Sequence, residues 1–313
     1  MNLQQFFSSQ GYDISEKLNW EKYINIWESW YRGKVRKFHN YYIYNGQRKV
    51  KMEKKSLQGA KKVAEDWADL LYNERVKINL KKKKDTENLI EILRQNNATT
   101  IINQGIEKSF AIGTGALVVS VQNMEQIENV LDVTYSKVKL EFVECKKIIP
   151  LTWENQMIKE CAFVTTKYKK GQNYIYIAMH TLNEKGNYVI ENYMFKGKYN
   201  SFVKANNEEK EGFLDKFDTK SNIPWFSIIT PNICNNIDSE SPFGLSVYAN
   251  SIDTLKSLDN AYDGLDNETT IGRRRIFVSG EMLSYDDGEA RMVFDPNDIS
   301  VYRMPQGFNK NNM

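Results

Sequence analysis

Two sets of charged residues in this sequence, each containing carboxylates, have a spacing that suggests a functional site. The first is Asp132 with Glu144 and Lys146, the last two forming an E-x-K motif on a predicted strand. Two carboxylates can hold Mg²⁺ between them while a lysine positions the attacking water, as in restriction-type nucleases. Since the motif is short and Lys146 can equally end a surface strand, a metal-dependent nuclease is the alternative function rather than the leading one.

The second set lies on a long predicted helix. Asp259, Asp263 and Asp266 follow the spacing i, i+4, i+7, which places their carboxylates on one strip of an α-helix, with Lys256 at its edge. Such a strip is either a solvated face or an acidic lining opposite something that the helix must not hold tightly. Both interpretations stay open on spacing alone.

The helix that would carry this strip is predicted over residues 241–272. Apolar residues recur at steps of three and four from Leu245 to Leu265, the period of one helical face. Ser241 offers a capping hydroxyl at the start, and Gly272 suits a left-handed C-terminal cap. Both ends of the helix are therefore marked in the sequence.

Three arginines follow directly, Arg273, Arg274 and Arg275, before a short β-rich run. Basic residues suit a helix C-terminus because they oppose the partial negative charge of its free carbonyl groups. Three in a row are more than capping requires.

Other helices are predicted in the first third of the chain. Residues 1–15 show no clear period, but an aromatic stripe from Trp20 to Tyr31 predicts a helix docked into a core or a neighbouring subunit. A second amphipathic helix opens at Ser56. Residues 34–55 between them mix bases with aromatics, which is typical of a nucleic-acid contact or of an extended arm lying on a neighbour.

The middle of the chain changes to β pattern. Residues 138–195 read as successive strands joined by hairpin-like connectors, which predicts an antiparallel sheet. Gly113 and Gly115 follow a helix and lack the third glycine of a dinucleotide site, so tight helix-to-strand packing explains them better than phosphate binding. His180 falls inside a strand and is interpreted as structural.

Composition excludes several classes. Lys and Arg number 43 against 40 for Asp and Glu, a net charge of +3 that is too balanced for a nucleic-acid binder acting through bulk charge. Three scattered cysteines and two histidines argue against a disulfide framework and a zinc site. The sequence has no apolar run of membrane-spanning length and no standard signal segment, so a cytosolic chain without a cofactor is expected.

Several motifs occur in a recognisable order. They are W-x-x-W-Y-R-G at 27–33, SLQGAKKVAEDWADLLYNE at 56–74, SFAIGTGALVV at 109–119, IIPLTWEN at 148–155, and PFGLSVYANSIDTLKSLDNAYDGLDNE with GRRRIFV from 242 onward. In order and spacing they resemble the portal proteins of tailed bacteriophages, the type found in siphophages and in prophages of Gram-positive bacteria. The likeness runs from about residue 20 to residue 302.

The resemblance implies a structural, non-enzymatic protein, made in the bacterial host cytoplasm and located at the capsid portal vertex of the virion. Portal subunits form a dodecameric ring through which double-stranded DNA passes. The implied partners are further copies of the chain, the terminase large subunit, a head-completion or adaptor protein, and the major capsid and scaffolding proteins, with no membrane.

The resemblance also implies an α+β fold: a portal-type wing with antiparallel strands and packing helices, then a long stem helix and a small β-containing clip. The expected segments are 1–55 (N-terminal aromatic helix and arm), 56–240 (wing), 241–272 (stem helix) and 273–313 (partial clip and tail). Lys256, Asp259, Asp263 and Asp266 become candidate DNA-channel residues, and Arg273, Arg274 and Arg275 candidate clip contacts to a partner. Family members continue with a second stem helix and a crown, so a fragment, a short form, or a truncated portal acting as an assembly decoy or regulator is expected.

Overall fold

The structure is a computed structural model that describes most of the chain. It describes residues 1–44, 49–73, 75–122, 125–127, 130–132, 136–169, 171–198, 201–205, 214–271, 276–278, 283–286, 289–292 and 301–303. For 122, 125–127, 130–132 and the described residues from 271 onward, the description is limited to the backbone.

Helices and strands both contribute throughout, which confirms the α+β class. The helices of the described ranges are α1 (Leu3–Ser9), α2 (Ser15–Tyr31), α3 (Arg36–His39), α4 (Gly59–Leu71), α5 (Lys83–Gln95), α6 (Ala98–Ile112) and α7 (Ile252–Ile271). Short 3-10 turns occupy Cys145–Lys147 and Ala249–Ser251.

The strands are mostly short at the two ends of the chain and long in its middle. They are β1 (Asn40–Tyr44), β2 (Lys49–Glu53), β3 (Gly115–Gln122), β4 (Glu125–Ile127), β5 (Val130–Asp132), β6 (Lys137–Glu144), β7 (Ile148–Glu154), β8 (Met157–Lys169), β9 (Gln172–Leu182), β10 (Tyr188–Lys198), β11 (Ser201–Lys204), β12 (Lys216–Asp218), β13 (Phe226–Ile229), β14 (Ile276–Val278), β15 (Leu283–Asp286), β16 (Glu289–Met292) and β17 (Val301–Arg303).

The chain divides into two compact units. Unit 1 comprises Met1–Arg32 and Ala60–Asn250, and unit 2 comprises Gly33–Gly59 and Ser251–Met313. The segment predicted as 1–55 is thus shared between the two units, with its aromatic helix in unit 1 and its arm in unit 2.

Unit 1 is built on an antiparallel sheet with the strand order β11-β10-β9-β8-β7, and β12 also pairs with β10. This sheet contains the strands predicted between 148 and 195. Gly171 and Gly186 adopt the left-handed conformation at the β8–β9 and β9–β10 connections, where the sequence indicates hairpins. Consecutive long strands therefore pair with their neighbours in sequence.

The centre of this sheet is covered on both faces. On β8, Ala162 and Val164 belong to a core cluster with Phe6 and Phe7 of α1, whereas Phe163 on the opposite face packs with residues of a second sheet, ordered β13-β3-β6. Because side chains alternate along a strand, a continuous apolar run is the expected pattern for a strand buried on both sides. α1, which the sequence pattern did not reveal, contributes through those two phenylalanines.

The aromatic stripe of α2 is buried in unit 1, which confirms its docking into a core. Trp20 stacks on Phe243 with ring centroids 6.0 Å apart, and the Tyr248 hydroxyl donates to the carbonyl of Trp27 at 2.9 Å. Trp20, Ile24, Trp27 and Trp30 are all buried. The large rings thus supply the apolar area that the helix removes from water.

Residues 241–251 correct the predicted start of the long helix, since α7 begins at Ile252. Phe243 and Leu245 are buried in unit 1, and the Gly244 N–H donates to Thr114 Oγ1 at 2.9 Å. The Val247 N–H donates to the carbonyl of Phe110 at 3.0 Å. The Val247 N–H is a group that a helix starting at 242 would need for its own hydrogen bond, so tertiary contacts override the helical spacing.

Ser241 has a different role from the predicted helix cap. Its hydroxyl donates to the Glu16 carboxylate at 2.5 Å and lies well before the first turn of α7. The predicted C-terminal cap, Gly272, lies outside the described residues.

Unit 2 combines a hairpin, the helices α3 and α7, and short strands. β1 and β2 form an antiparallel pair, β14 and β17 a parallel pair, and β15 and β16 an antiparallel pair. The long helix α7 belongs to the same unit. The residues described after α7 all lie in these short strands, and the assignment of this region to a clip stays a prediction.

Candidate functional site

The acidic strip of α7 lies against the arm, defined here as Gly33–Gly59 of unit 2. Asp259 and Asp263 are buried, whereas the Asp266 side chain is 34% exposed. Two carboxylates withdrawn from water need hydrogen-bond partners, since an isolated buried charge is strongly unfavourable. The arm supplies those partners.

His39 forms the deepest of these contacts. Its Nδ1 accepts a hydrogen bond from the Val35 N–H at 2.8 Å, so the neutral ring carries its proton on Nε2. Nε2 donates to Asp259 Oδ2 at 3.0 Å, and both side chains are buried. The backbone of the turn at Val35 therefore fixes the tautomer that Asp259 requires.

The backbone of the arm continues the same pattern. The Leu57 N–H donates to Asp259 Oδ1 at 3.0 Å, and the Lys55 N–H donates to Asp263 Oδ1 at 3.2 Å. Two extended residues span about 6.6 Å and four helical residues about 6 Å, so alternate amides of the arm match carboxylates one turn apart. The strip acts as a ladder along which an extended segment binds antiparallel to the helix.

Side chains complete this ladder. The Tyr41 hydroxyl donates to Asp263 Oδ2 at 3.3 Å, and the Lys55 ammonium pairs with Asp266 at 2.8 Å. Lys54 donates to Asn260 Oδ1 at 2.7 Å. Each aspartate of the strip is thus engaged by the arm of its own chain.

The four predicted channel residues consequently separate into two classes. Asp259 and Asp263 are enclosed by the arm, so in this unit their carboxylates hold backbone rather than line an open surface. Lys256 and Asp266 remain accessible, with Lys256 paired to Asp253 at 2.7 Å. The lining role stays a prediction, and of the four residues Lys256 and Asp266 are the ones exposed enough to serve it.

The residues of the predicted nuclease motif are engaged elsewhere. Glu144 ends β6 and pairs with Lys108 at 3.0 Å, which helps to lower the pKa of its carboxyl even though burial acts in the opposite direction. Lys146 lies in a 3-10 turn, not on a strand, and bonds to Glu28. The Asp132 side chain lies outside the described residues, and the side chains that are described contain no cluster of three metal-ligating groups.

We expect the purified chain to leave duplex DNA intact in the presence of Mg²⁺, because Glu144 and Lys146 are held in separate ion pairs. The measurement is a plasmid-nicking assay, with EDTA and Glu144→Ala as the comparisons. Cleavage that required both Mg²⁺ and Glu144 would contradict this expectation.

His180 is a buried strand residue, which agrees with its structural interpretation. Its ring packs edge-on against Phe163 and Phe226, and its Nδ1 has no hydrogen-bond partner. Burial lowers the pKa of His180 to about 4 from its ordinary value of 6.5. The imidazole is therefore held neutral at physiological pH by its apolar surroundings.

Acidification should destabilise unit 1 through His180. The unfolded chain protonates His180 below about pH 6.5, whereas the folded chain does so only near pH 4. Protonation therefore favours the unfolded chain, and the folding free energy that the neutral His180 retains above pH 6.5 is lost as the pH falls from 6.5 to 4. From about pH 7.5 to about pH 5 the loss is about 2 kcal/mol of unfolding free energy. Urea unfolding at both pH values measures it, and His180→Phe should show a correspondingly smaller pH effect; equal pH effects in both proteins would contradict the assignment.

The predicted clip arginines, Arg273, Arg274 and Arg275, lie outside the described residues. The functional residues missed in the sequence are those of the arm, above all His39. Two features of the sequence could have indicated this contact. One is the single histidine in a segment rich in hydrogen-bond donors, and the other is a helix with carboxylates one turn apart.

The family model for phage portal proteins of the SPP1 Gp6-like type matches residues 13–311. The chain belongs to this family of phage portal proteins. No curated protein matches the chain.

Membership in the portal family identifies a structural component of the virion capsid rather than an enzyme. The family assembles as oligomers together with capsid and DNA. Among the described residues, no helix is long and apolar enough to span a membrane. The strip on α7 is thus a feature of a portal protein.

Proposed function

We propose that this chain is a subunit of the ring-shaped conduit at one capsid vertex, through which double-stranded DNA enters and leaves the phage head. The observation that carries the proposal is the portal family match, which covers residues 13–311 and therefore both units. A dodecameric ring is the proposed assembly.

The proposed partners follow from that position. The terminase large subunit docks on the ring during packaging, and a head-completion or adaptor protein binds afterwards. Major capsid and scaffolding proteins surround the vertex. Arg273, Arg274 and Arg275 are the proposed clip contacts, because a cluster of three positive charges exceeds what capping of α7 needs.

In this proposal unit 1 supplies the wing and α7 the stem helix. Lys256 and Asp266 are the proposed channel-lining residues, since the other two carboxylates of the strip hold the arm. Carboxylates near passing DNA lower its affinity, because lysine and arginine contacts to phosphate are what make DNA adhere. The arm strengthens the stem helix by tying it to a second segment of the chain.

Particle mass and shape test the proposal. Light scattering and negative-stain microscopy of the 313-residue chain at several concentrations should show rings with a central hole. A chain that stays monomeric or dimeric across that range would contradict ring formation by this polypeptide.

A further inference from the structure

The arm of unit 2 concentrates positive charge. Residues 33–59 contain eight basic residues and a single acidic residue, Glu53, in a chain whose net charge is only +3. The arm ends at Gly59, where α4 begins, three residues later than the predicted start of that helix at Ser56. Like charges crowded into one short segment repel one another unless negative charge lies opposite them. An anionic partner is therefore expected for the arm.

Part of this charge is directed at α7. Lys54 donates to Asn260, and Lys55 pairs with Asp266. Five further described cations of the arm are exposed and form no ion pair with any side chain that the structure describes. They are Lys34, Arg36, Lys37, Lys49 and Lys51. These positive charges remain available to a partner outside the chain.

Two of these lysines share the outer face of the β1–β2 hairpin with two tyrosines. Tyr42 pairs with Lys51 and Tyr44 with Lys49, and directly opposed residues of an antiparallel pair point to the same face. The tyrosines are 66% and 65% exposed. Glu53, the acidic residue of the arm, lies at the far end of β2 from Lys49. The outer face therefore presents aromatic rings flanked by positive charge.

This outer face is not needed to hold the arm on α7. Because side chains alternate along a strand, Tyr41 lies on the other face, where its hydroxyl donates to Asp263. Tyrosine rings contribute most when they are buried, yet Tyr42 and Tyr44 lie largely in solvent. Exposed rings beside unpaired lysines are the combination that binds single-stranded nucleic acid, because bases stack on the rings and phosphates attract the lysines.

Spacing favours a single strand over a duplex. Residues two apart on an antiparallel strand lie about 6.8 Å apart. That is twice the spacing of about 3.4 Å between stacked nucleotides, so one base fits between the positions of Tyr42 and Tyr44. The bases of a duplex are already stacked on one another, whereas those of a single strand offer free faces to a protein ring.

We propose that the outer face of the hairpin (Tyr42, Tyr44, Lys49 and Lys51) binds single-stranded nucleic acid. Bases stack on the two tyrosines, and phosphates lie against the two lysines. The three exposed cations that precede β1 in the arm add to the attraction. This site goes beyond the duplex conduit of the proposed function and does not depend on ring formation.

Charge alone would select a different segment of the chain. Lys81–Lys84 is a run of four exposed lysines, but residues 75–95 contain no aromatic residue. A site that combines charge with stacking should therefore lie on the hairpin, whereas binding through charge alone would use the lysine run. The two segments provide a comparison within one protein.

Fluorescence anisotropy with a labelled oligothymidylate of about 12 nucleotides tests the site. Tyr42→Leu removes one ring and should weaken binding about tenfold, the effect of one lost stacking contact. Lys49→Gln/Lys51→Gln removes two phosphate contacts, so the slope of log affinity against log salt should become shallower by about 1.4. Neither variant changes Tyr41, which contacts α7.

Matched variants separate the site from general effects. Tyr168→Leu removes a tyrosine that is 74% exposed in unit 1, and Lys185→Gln/Lys220→Gln removes two exposed lysines there. Neither should change the affinity. Lys81→Gln/Lys82→Gln tests the lysine run and should weaken binding less than about threefold. Circular dichroism verifies that each variant is folded.

The outcomes are distinct. A loss in both hairpin variants, with the controls unchanged, supports the site. No binding by the wild type, equal affinity in the wild type and the hairpin variants, or a loss that follows only the lysine run would overturn it. Tighter binding of a duplex of the same length would overturn the assignment to a single strand. Light scattering measures ring formation separately, so failure of this site leaves the proposed ring unaffected.

Discussion

Asp259→Ala is expected to destabilise unit 2 by about 3–5 kcal/mol, because it removes the shared acceptor of the buried His39 Nε2–H and of the part-buried Leu57 N–H. The His39 Nε2–H and the Leu57 N–H both donate to this carboxylate. Alanine leaves the His39 Nε2–H buried without a partner and the Leu57 N–H without its acceptor, and the lost contact between arm and helix adds to that cost. Hydrogen exchange of the Leu57 amide, followed by mass spectrometry or NMR, should accelerate by at least two orders of magnitude.

The strip contains its own control. Asp266→Ala removes a carboxylate that pairs with Lys55 at the surface, so the expected loss is under about 1 kcal/mol and the Leu57 amide should stay protected. Asp259→Asn should fall between the two, since an amide can offer one oxygen acceptor but must turn its NH₂ toward the other donor. Similar exchange rates in Asp259→Ala and Asp266→Ala would show that the ladder does not hold the arm.

This strip shows what a sequence can and cannot predict. The spacing of Asp259, Asp263 and Asp266 correctly places them on one side of α7. Spacing carries no information on what faces that side, because the donors at His39, Lys55 and Leu57 are some 200 positions earlier in the chain. In the structure the strip binds the arm of its own chain, and its role as a channel lining stays a prediction.

The long sheet of unit 1 was predictable for a physical reason. Its strands pair with sequence neighbours, so alternation and turn residues such as Gly171 and Gly186 determine the pairing locally. The pattern between 148 and 195 accordingly predicts the right strands, whereas the strand predicted at 138–143 pairs with β3 in the second sheet. Short connections leave few alternative arrangements.

The start of α7 was not predictable in the same way. Leu245 continues the helical spacing and is buried in unit 1, but the segment that contains it is not helical. Periodicity reports which residues avoid water, and both structures satisfy that requirement. The decisive contacts, from Thr114 and Phe110, are contributed by residues far away in the sequence.

Gly113→Ala is the second substitution for which we expect a large effect. Gly113 lies against the backbone of the segment 241–251. Gly113 caps α6 in the left-handed conformation, with φ of 90°, and an added Cβ would lie 2.2 Å from the carbonyl oxygen of Gly244. The opposing atom is backbone, so no side chain can rotate away. This close approach confirms that the glycines around 113–115 serve packing, as their small size indicates.

Two costs add in Gly113→Ala. The left-handed conformation costs a non-glycine residue about 1–2 kcal/mol, and separating two backbone segments adds overpacking strain of about 1–3 kcal/mol or more. We therefore expect a loss of about 4 kcal/mol in the unfolding free energy of unit 1, measured by urea unfolding.

Gly186→Ala isolates the first of these costs. Gly186 has φ of 77° with nothing within 4 Å of its added Cβ, so this variant should lose only about 1–2 kcal/mol. Gly244→Ala approaches the same contact from the other side, because its Cβ would lie 2.4 Å from the Gly113 carbonyl oxygen. Gly113→Ala and Gly244→Ala should both exceed Gly186→Ala; a Gly113→Ala loss equal to that of Gly186→Ala would mean that segment 241–251 does not press on the end of α6.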